Sequence, residues 1–282
     1  MKRIYAVILI FIAALSVLGA GAYTVYHNHT TGGESPTIHF DKDEIEVSTK
    51  ATDEELLQGV TANDAEDGDV TDSLMVERIA SLDGKNTITV SYVAFDSQNH
   101  VTRASRSAHY TDYTSPRFTM SRPMVFMPTA VGDMMDGIGA ADCIDGDISV
   151  KVRAAYDNTE SALREPGEHK VELTVTNSVG DHVSLMVPIL VTESSPRSDQ
   201  LPLKSYLVYL SKGSEFNPTL YYSDELVKSL ADAAAKRSYN EPDPMRVESN
   251  VNTATEGVYT VDYKIVRNEE VTAQTRLIVV VR

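Results

Sequence analysis

Three separate stretches of the chain alternate apolar and polar residues with a period of two. This pattern is typical of a β-strand that buries one face, because successive side chains on a strand point to opposite sides. Each stretch is followed by a short polar turn and then by a second strand-like run. The sequence therefore predicts three β-hairpins, whose first strands lie at 86–94, 167–175 and 257–265.

Each hairpin closes a segment that begins with the dipeptide Ser-Pro. The dipeptide occurs at 35–36, 115–116 and 195–196, a constant spacing of 80 residues. A fixed period of this size indicates tandem modules, and proline suits their joints because it cannot donate to a strand ladder. We expect three β-sandwich modules, each closing over its own interior. Their predicted limits are 36–113, 114–194 and 195–282.

The third segment departs from the strand pattern over residues 223–237. Leu226, Leu230 and Ala234 recur there at i, i+4 and i+8, with acidic residues early in the stretch and Lys236 late. This spacing and this order of charges are typical of an α-helix. We therefore predict a helix inserted in the third module, which either packs on its surface or binds a partner.

The amino-terminal segment has a basic lead at 1–3 and no charged residue from 4 to 26. A run of this length predicts a transmembrane helix whose amino terminus lies in the cytoplasm. The alternative is a cleaved signal peptide, because residues 20–22 (Ala-Gly-Ala) match the small-x-small cleavage pattern. Both interpretations of residues 1–26 place the rest of the chain outside the cytoplasm, after a flexible linker at 27–35.

Two acidic turns built on Asp-Gly-Asp lie in the first two segments, at 64–71 and 142–149. Their clustered carboxylates would suit calcium, which binds about six to eight oxygen ligands, although the spacing is not that of an EF-hand. The alternative is turn chemistry, since Asp and Gly supply the hydrogen bonds and backbone angles of a tight turn. The candidate calcium ligands are Asp64, Glu66, Asp67, Asp69, Asp142, Asp145 and Asp147.

These residues give the chain a resemblance to bacterial immunoglobulin-like modules, those grouped with the pesticidal crystal protein Ig-like domain (the DUF5011 type). The family pattern joins an acidic Asp-Gly-Asp turn to a Gly-x-Tyr-x-Val-x-Tyr strand. Residues 62–71 match the turn closely, residues 142–149 match it with Ser149 in place of threonine, and the third segment keeps only the strand block at 257–263. The resemblance implies an Ig-like sandwich outside bacterial cells, often in tandem stalks, and implies no single function.

Composition narrows the classes of function that remain. The formal net charge of -16 argues against nucleic acid as a partner, because phosphate contacts need a basic surface. The one cysteine, Cys143, cannot form an intramolecular disulfide. The sequence contains no nucleophile elbow, no zinc-protease motif and no phosphate-cradling glycine loop. We therefore expect no catalytic residues, no enzymatic activity and no cofactor, with calcium as the one ligand that the acidic turns could hold.

Taken together, the pattern favours a non-enzymatic bacterial cell-surface protein, a stalk, adhesion or interaction protein. It would be held at the membrane by its amino-terminal helix, or secreted if that segment is a cleaved signal, and its third module would contact a surface protein or glycan. The alternative is a carbohydrate-binding accessory module that acts with cell-wall or capsule enzymes. Such sites usually expose aromatic rings, and the candidates are Tyr206, Tyr209, Tyr221 and Tyr222.

Overall fold

In the computed structural model, which describes residues 2–31, 33–80, 86–156, 165–238 and 244–282, most of the regular structure is β-sheet. Five sheets and few helices occur in these ranges, so the all-β class predicted from the alternation is confirmed. The chain divides into two compact units, Met1–Tyr113 and Thr114–Arg282. The division into three modules stays a prediction.

The first unit contains helix α1 (Lys2–Thr31), the one-turn helix α2 (Asp53–Leu56) and strands β1 to β7. The described strands form sheets of order β1-β3-β4 and β2-β7-β6-β5, in which the β2–β7 pair is parallel and the other described pairs are antiparallel. The strand bounds are β1 (Thr37–Phe40), β2 (Glu44–Val47), β3 (Val60–Asp64), β4 (Gly68–Asp69), β5 (Met75–Ala80), β6 (Thr87–Phe95) and β7 (Val101–Tyr110).

Among the helices of the described ranges, none is long and apolar enough to cross a membrane. The transmembrane or signal segment expected at residues 1–26 stays a prediction.

The second unit contains helix α3 (Asp224–Lys236) and strands β8 to β18. Three sheets result, of order β8-β10-β11, β9-β14-β13-β12 and β15-β18-β17-β16. The strand bounds are β8 (Arg117–Met120), β9 (Val125–Phe126), β10 (Ile138–Asp142), β11 (Gly146–Asp147), β12 (Arg153–Tyr156), β13 (Gly167–Thr176), β14 (His182–Val191), β15 (Leu207–Leu210), β16 (Met245–Ser249), β17 (Gly257–Arg267) and β18 (Glu270–Val281). Short 3-10 turns lie at Thr71–Ser73, Val131–Gly137, Ser149–Lys151, Ser198–Gln200 and Pro218–Tyr221.

One four-stranded sheet plan occurs three times along the chain. In each copy an antiparallel hairpin pairs on one side with a short strand parallel to it, namely β2 on β7, β9 on β14 and β15 on β18. The first two copies are accompanied by a three-stranded sheet that carries the acidic turn. In the described part of the third segment, α3 and an isolated bridge between Leu203 and Tyr222 occur instead.

Helix α3 forms where its end signals and its apolar spacing agree. The hydroxyl of Ser223 accepts a hydrogen bond from the backbone N–H of Leu226 at 3.1 Å and so caps the first turn. Leu226 is buried and Leu230 packs beside it, whereas most other side chains of the helix are exposed. The helix is therefore fixed to the unit along one narrow apolar stripe.

The interior of the second unit is shared between its two segments. Ile278 and Val280, on one face of β18, join the apolar cluster formed by β8 to β14. Leu277 and Val279, on the other face, pack in the cluster that contains Leu226. The second segment therefore does not close over an interior of its own, contrary to the expectation from the repeat.

A buried arginine ties the same two segments together. The guanidinium of Arg276, whose side chain is 1% exposed, donates two hydrogen bonds to the carboxylate of Asp262 at 2.7 and 2.8 Å. It donates a third to Glu168 at 2.7 Å. Burial disfavours the charged guanidinium, but the hydrogen bonds and charges of both carboxylates outweigh it and raise the pKa of Arg276. Removing Asp262 would leave the buried guanidinium with Glu168, which is 65% exposed, as its remaining carboxylate partner.

We expect Ile278→Ala to destabilise the second unit by roughly 2–5 kcal/mol, because the lost methyl groups leave a cavity in the shared core. Both segments should lose stability together, in one cooperative transition. Urea unfolding of the full chain, followed by circular dichroism, measures this.

Val271→Ala is the matched control, because Val271 lies on the same strand and is 49% exposed. It should change the free energy of unfolding only slightly. The shared core would be contradicted if, in the Ile278→Ala protein, residues 195–282 unfolded at a lower urea concentration while residues 114–194 kept their original unfolding midpoint.

Candidate functional site

The first acidic turn joins β3 to β4 and is held by its own carboxylates. Asp64 Oδ1 accepts the backbone N–H of Glu66 at 2.8 Å and that of Asp67 at 3.0 Å. Asp69 Oδ1 accepts the backbone N–H of Thr71 at 3.0 Å. Hydrogen bonds from the side chain and the backbone of Thr71 lower the pKa of Asp69. Asp64 and Asp69 therefore act as acceptors for the backbone of their own turn.

The second acidic turn, between β10 and β11, repeats these contacts. Asp142 Oδ1 accepts the backbone N–H of Ile144 at 2.8 Å and that of Asp145 at 2.9 Å. Asp147 Oδ1 accepts the hydroxyl of Ser149 at 2.6 Å and its backbone N–H at 2.9 Å, which lowers the pKa of Asp147. Ser149 thus donates to Asp147 in this turn as Thr71 donates to Asp69 in the first turn.

The glycine at the centre of each turn has a backbone conformation that few other residues adopt. Gly68 and Gly146 both have φ of 72°. This left-handed conformation carries no steric cost for glycine, because it has no Cβ. The Asp-Gly-Asp spacing therefore meets the requirements of a tight turn.

Each acidic turn also holds the loop of the following hairpin, a contact that the sequence reasoning missed. Asp67 accepts the backbone N–H of Ser97 at 2.7 Å and its hydroxyl at 3.0 Å. Asp145 accepts the same two groups of Ser178 and an ion pair from Lys151 at 2.9 Å. Burial opposes the ionisation of Asp145, but these contacts outweigh it and lower its pKa. The serine that recurs in both hairpin turns, Ser97 and Ser178, is the feature of the sequence that could have indicated these contacts.

The two turns differ at one position of the hairpin loop. In the second unit, Asn177 Nδ2 donates to Asp142 Oδ2 at 3.1 Å. The corresponding residue of the first unit is Asp96, whose ionised carboxylate cannot donate, and it accepts instead from His100 Nδ1 at 2.6 Å. Asp64 Oδ2 is accordingly buried without a hydrogen-bond partner. The second turn is fully bonded where the first is not.

The geometry fits turn chemistry for all candidate calcium ligands. Each of the seven has at least one carboxylate oxygen engaged in the turn or in the hairpin loop, including Glu66, which accepts from Gln98 at 2.6 Å. Within the described ranges, no group of three or more His, Cys, Asp or Glu side chains is arranged to hold a metal ion. Calcium binding stays a prediction.

Three of the four tyrosines proposed for glycan stacking pack inside the second unit. Tyr221 stacks on Phe216 with ring centroids 5.8 Å apart, and Tyr222 meets Tyr263 edge-on at 5.5 Å. Tyr206 packs against both apolar clusters of the unit. Their half-buried rings stabilise the fold and do not form an open aromatic platform.

The fourth tyrosine, Tyr209, lies between the two segments of the unit. Its hydroxyl accepts the backbone N–H of Phe118 at 3.0 Å, and burial raises the pKa of Tyr209. The guanidinium carbons of Arg117 and Arg282 lie 5.5 and 4.7 Å from the centre of its ring. The ring of Tyr209 therefore makes cation–π contacts with two arginines.

No family model matches the chain, and no curated protein matches it. Solved structures similar to parts of it include the CBM51-2 and INT domains of Clostridium perfringens ZmpB in complex with GlcNAc (18% identity, 53% of this chain, 26% of that chain, TM-score 0.22). The lipoprotein BT2262 from Bacteroides thetaiotaomicron is similar at 11% identity, with 86% of this chain, 98% of that chain and a TM-score of 0.20. Since the chain spans about a quarter of the ZmpB structure and both TM-scores are low, neither likeness supports a function.

We expect Asn177→Asp to destabilise the second unit by about 1–3 kcal/mol at neutral pH, because it removes the donor to buried Asp142 and adds a like charge. The like charge of Asp142 should raise the pKa of the new carboxyl group above its unfolded value of about 4. The loss should therefore shrink as the pH falls through the raised pKa and should disappear below about pH 4. Thermal unfolding between pH 3 and pH 7, as approximate limits of the titration range, measures it.

Asn99→Asp makes the same change of charge on an exposed hairpin turn of the first unit and should leave the stability nearly unchanged. Equal losses in the two variants would show that the Asn177 amide does not matter.

If the acidic turns bind calcium, millimolar calcium should raise the melting temperature of the full chain above its value in chelator, because the ion would bind only the folded state. Asp67→Asn and Asp145→Asn together should remove the shift. A melting temperature that is the same with calcium and with chelator would end the calcium interpretation.

Proposed function

We propose that this protein is a non-enzymatic interaction protein of the bacterial cell surface, built from three Ig-like modules of the DUF5011 type. The observation that carries the proposal is the sheet plan that recurs three times, twice with an acidic turn bonded to the following hairpin loop. Repeated sandwiches of this kind extend a surface away from its anchor, and the amino-terminal segment would supply that anchor.

The second unit supports a role in presenting a contact surface. The shared core joins its two segments through buried apolar groups, and the hydrogen bond from buried Arg276 to Glu168, which is 65% exposed, crosses the same joint. A joint of this kind resists bending, because any rotation would expose apolar surface and an arginine that is paired in the folded state. Residues 195–282 would therefore be held at a fixed position relative to 114–194.

The partner-facing surface that we propose lies on and beside α3. Val227 on the helix is 52% exposed, and Leu220, on the 3-10 turn before it, is 65% exposed. Covering these two side chains would remove apolar surface from water, which favours the binding of a protein partner. The partner would be a surface protein, which covers these side chains when it binds.

Deleting residues 195–282 would be a poor test, because it removes Ile278 and Val280 from the core of the second segment. We instead expect a photo-crosslinking amino acid at Val227 to capture a partner on intact bacteria that make the protein. Ser184, an exposed polar residue of β14 in the second segment, is the matched control position.

A specific adduct from position 227 and none from position 184 would support the proposal. Labelling of intact cells with an antibody against the second unit reports its exposure outside the cell. Equal yields from the two positions, or cells that the antibody labels only after lysis, would contradict it.

A further inference from the structure

Two arginines from different segments meet at one tyrosine ring in the second unit. Arg117 begins β8, and Arg282 follows β18, whose final residues pair with β15 and so place Arg282 beside Tyr209. Both guanidinium carbons lie within 5.5 Å of the ring centre. The tyrosine is fixed in turn, because its hydroxyl accepts the backbone N–H of Phe118 at 3.0 Å. Both guanidinium groups therefore pack against the ring of one fixed tyrosine, Tyr209.

Neither arginine of this pair has a carboxylate partner within 4.0 Å in the described ranges. The backbone N–H of Lys212 donates to the carbonyl of Arg282 at 3.0 Å. The side chain of Lys212 pairs with Glu256 at 3.6 Å, so this acid of the neighbouring segment has its own cationic partner.

Two like charges held together work against the stability of the unit. Burial lowers the pKa of Arg282, and repulsion by Arg117 lowers it further. Attraction to the tyrosine ring offsets part of this cost. The pair is unusual in a chain whose formal net charge is -16, where carboxylates outnumber the cations that could neutralise them.

We propose that Arg117 and Arg282 bind the phosphate group of a ligand at the joint between residues 114–194 and 195–282. Guanidinium groups suit phosphate because their planar N–H donors match its oxygens in pairs. Solvent still reaches both residues, although the Tyr209 ring covers part of Arg282, so a ligand can contact them. The same chemistry serves free phosphate and the phosphodiester of a surface polymer, and the site does not depend on the function proposed above.

Isothermal titration of the detergent-solubilised full chain in low-salt, phosphate-free buffer tests this site. The two probes are inorganic phosphate and a short glycerol-phosphate oligomer. We expect the chain to bind phosphate, and Arg117→Gln and Arg282→Gln each to weaken binding by about tenfold, because each removes a charge-assisted contact.

Arg267→Gln is the matched control, since it removes the same charge from an exposed position on β17 and should leave binding unchanged. Arg282→Lys keeps the charge and loses the paired donors, so it should weaken binding as well. Circular dichroism checks that every variant remains folded. If a glutamine variant unfolds, Arg117→Lys and Arg282→Lys replace it in the comparison.

Tighter binding of the oligomer than of phosphate would assign the site to a polymer, and equal binding would assign it to free phosphate. Either result supports the site if the arginine variants lose it. Absence of heat with both probes would overturn the proposal, and so would binding that Arg267→Gln weakens as much as Arg282→Gln does.

Discussion

Burial of β18 on both faces is the constraint on which the second unit depends. Residues 277–281 read Leu-Ile-Val-Val-Val, without the alternation that marks a strand with one wet face. Such a strand is stable only when both sides are covered. The sheets of the second segment cover one side, and the elements around Leu226 cover the other. Three repeats in the sequence therefore give two compact units.

The buried arginine gives this apolar joint a defined orientation. Apolar faces can slide over one another at small cost, whereas Arg276 makes its three hydrogen bonds only when Asp262 and Glu168 stand at their observed positions. Replacing the contact by apolar side chains could leave the joint equally stable. Such a replacement would, however, remove the contact that fixes one orientation of the two segments relative to each other. Apolar packing therefore stabilises this joint, whereas the hydrogen bonds of Arg276 set its orientation.

Local pattern carried enough information to predict the strands and the helix. The predicted first strands at 86–94, 167–175 and 257–265 overlap β6, β13 and β17, and the helix predicted at 223–237 lies where α3 forms. These elements depend on alternation, spacing and end signals that are read from neighbouring residues. The sequence also contained the sign of the shared core, in the unbroken apolar run of β18, but the regular period of 80 residues suggested separate interiors.

The candidate site was harder to predict, because its contacts join residues far apart in the chain. The acidic turns were recognisable from Asp, Gly and Asp alone, yet the serines that they hold lie about 30 residues away. A carboxylate that accepts backbone hydrogen bonds has less capacity for a metal, and this distinction depends on geometry that composition does not contain.

Net charge is a similarly poor guide to what each part of this protein can bind. The acids of its two acidic turns accept hydrogen bonds from their own turns or hairpin loops, and Asp262 pairs with an arginine. Arg117 and Arg282 differ, because two segments bring them to one tyrosine ring and neither has a carboxylate within 4.0 Å in the described ranges. Screening limits the influence of distant carboxylates to about 8–10 Å at physiological salt, so nearby groups dominate the potential at the pair. An acidic chain can in this way present a cationic site, provided that its fold places like charges side by side.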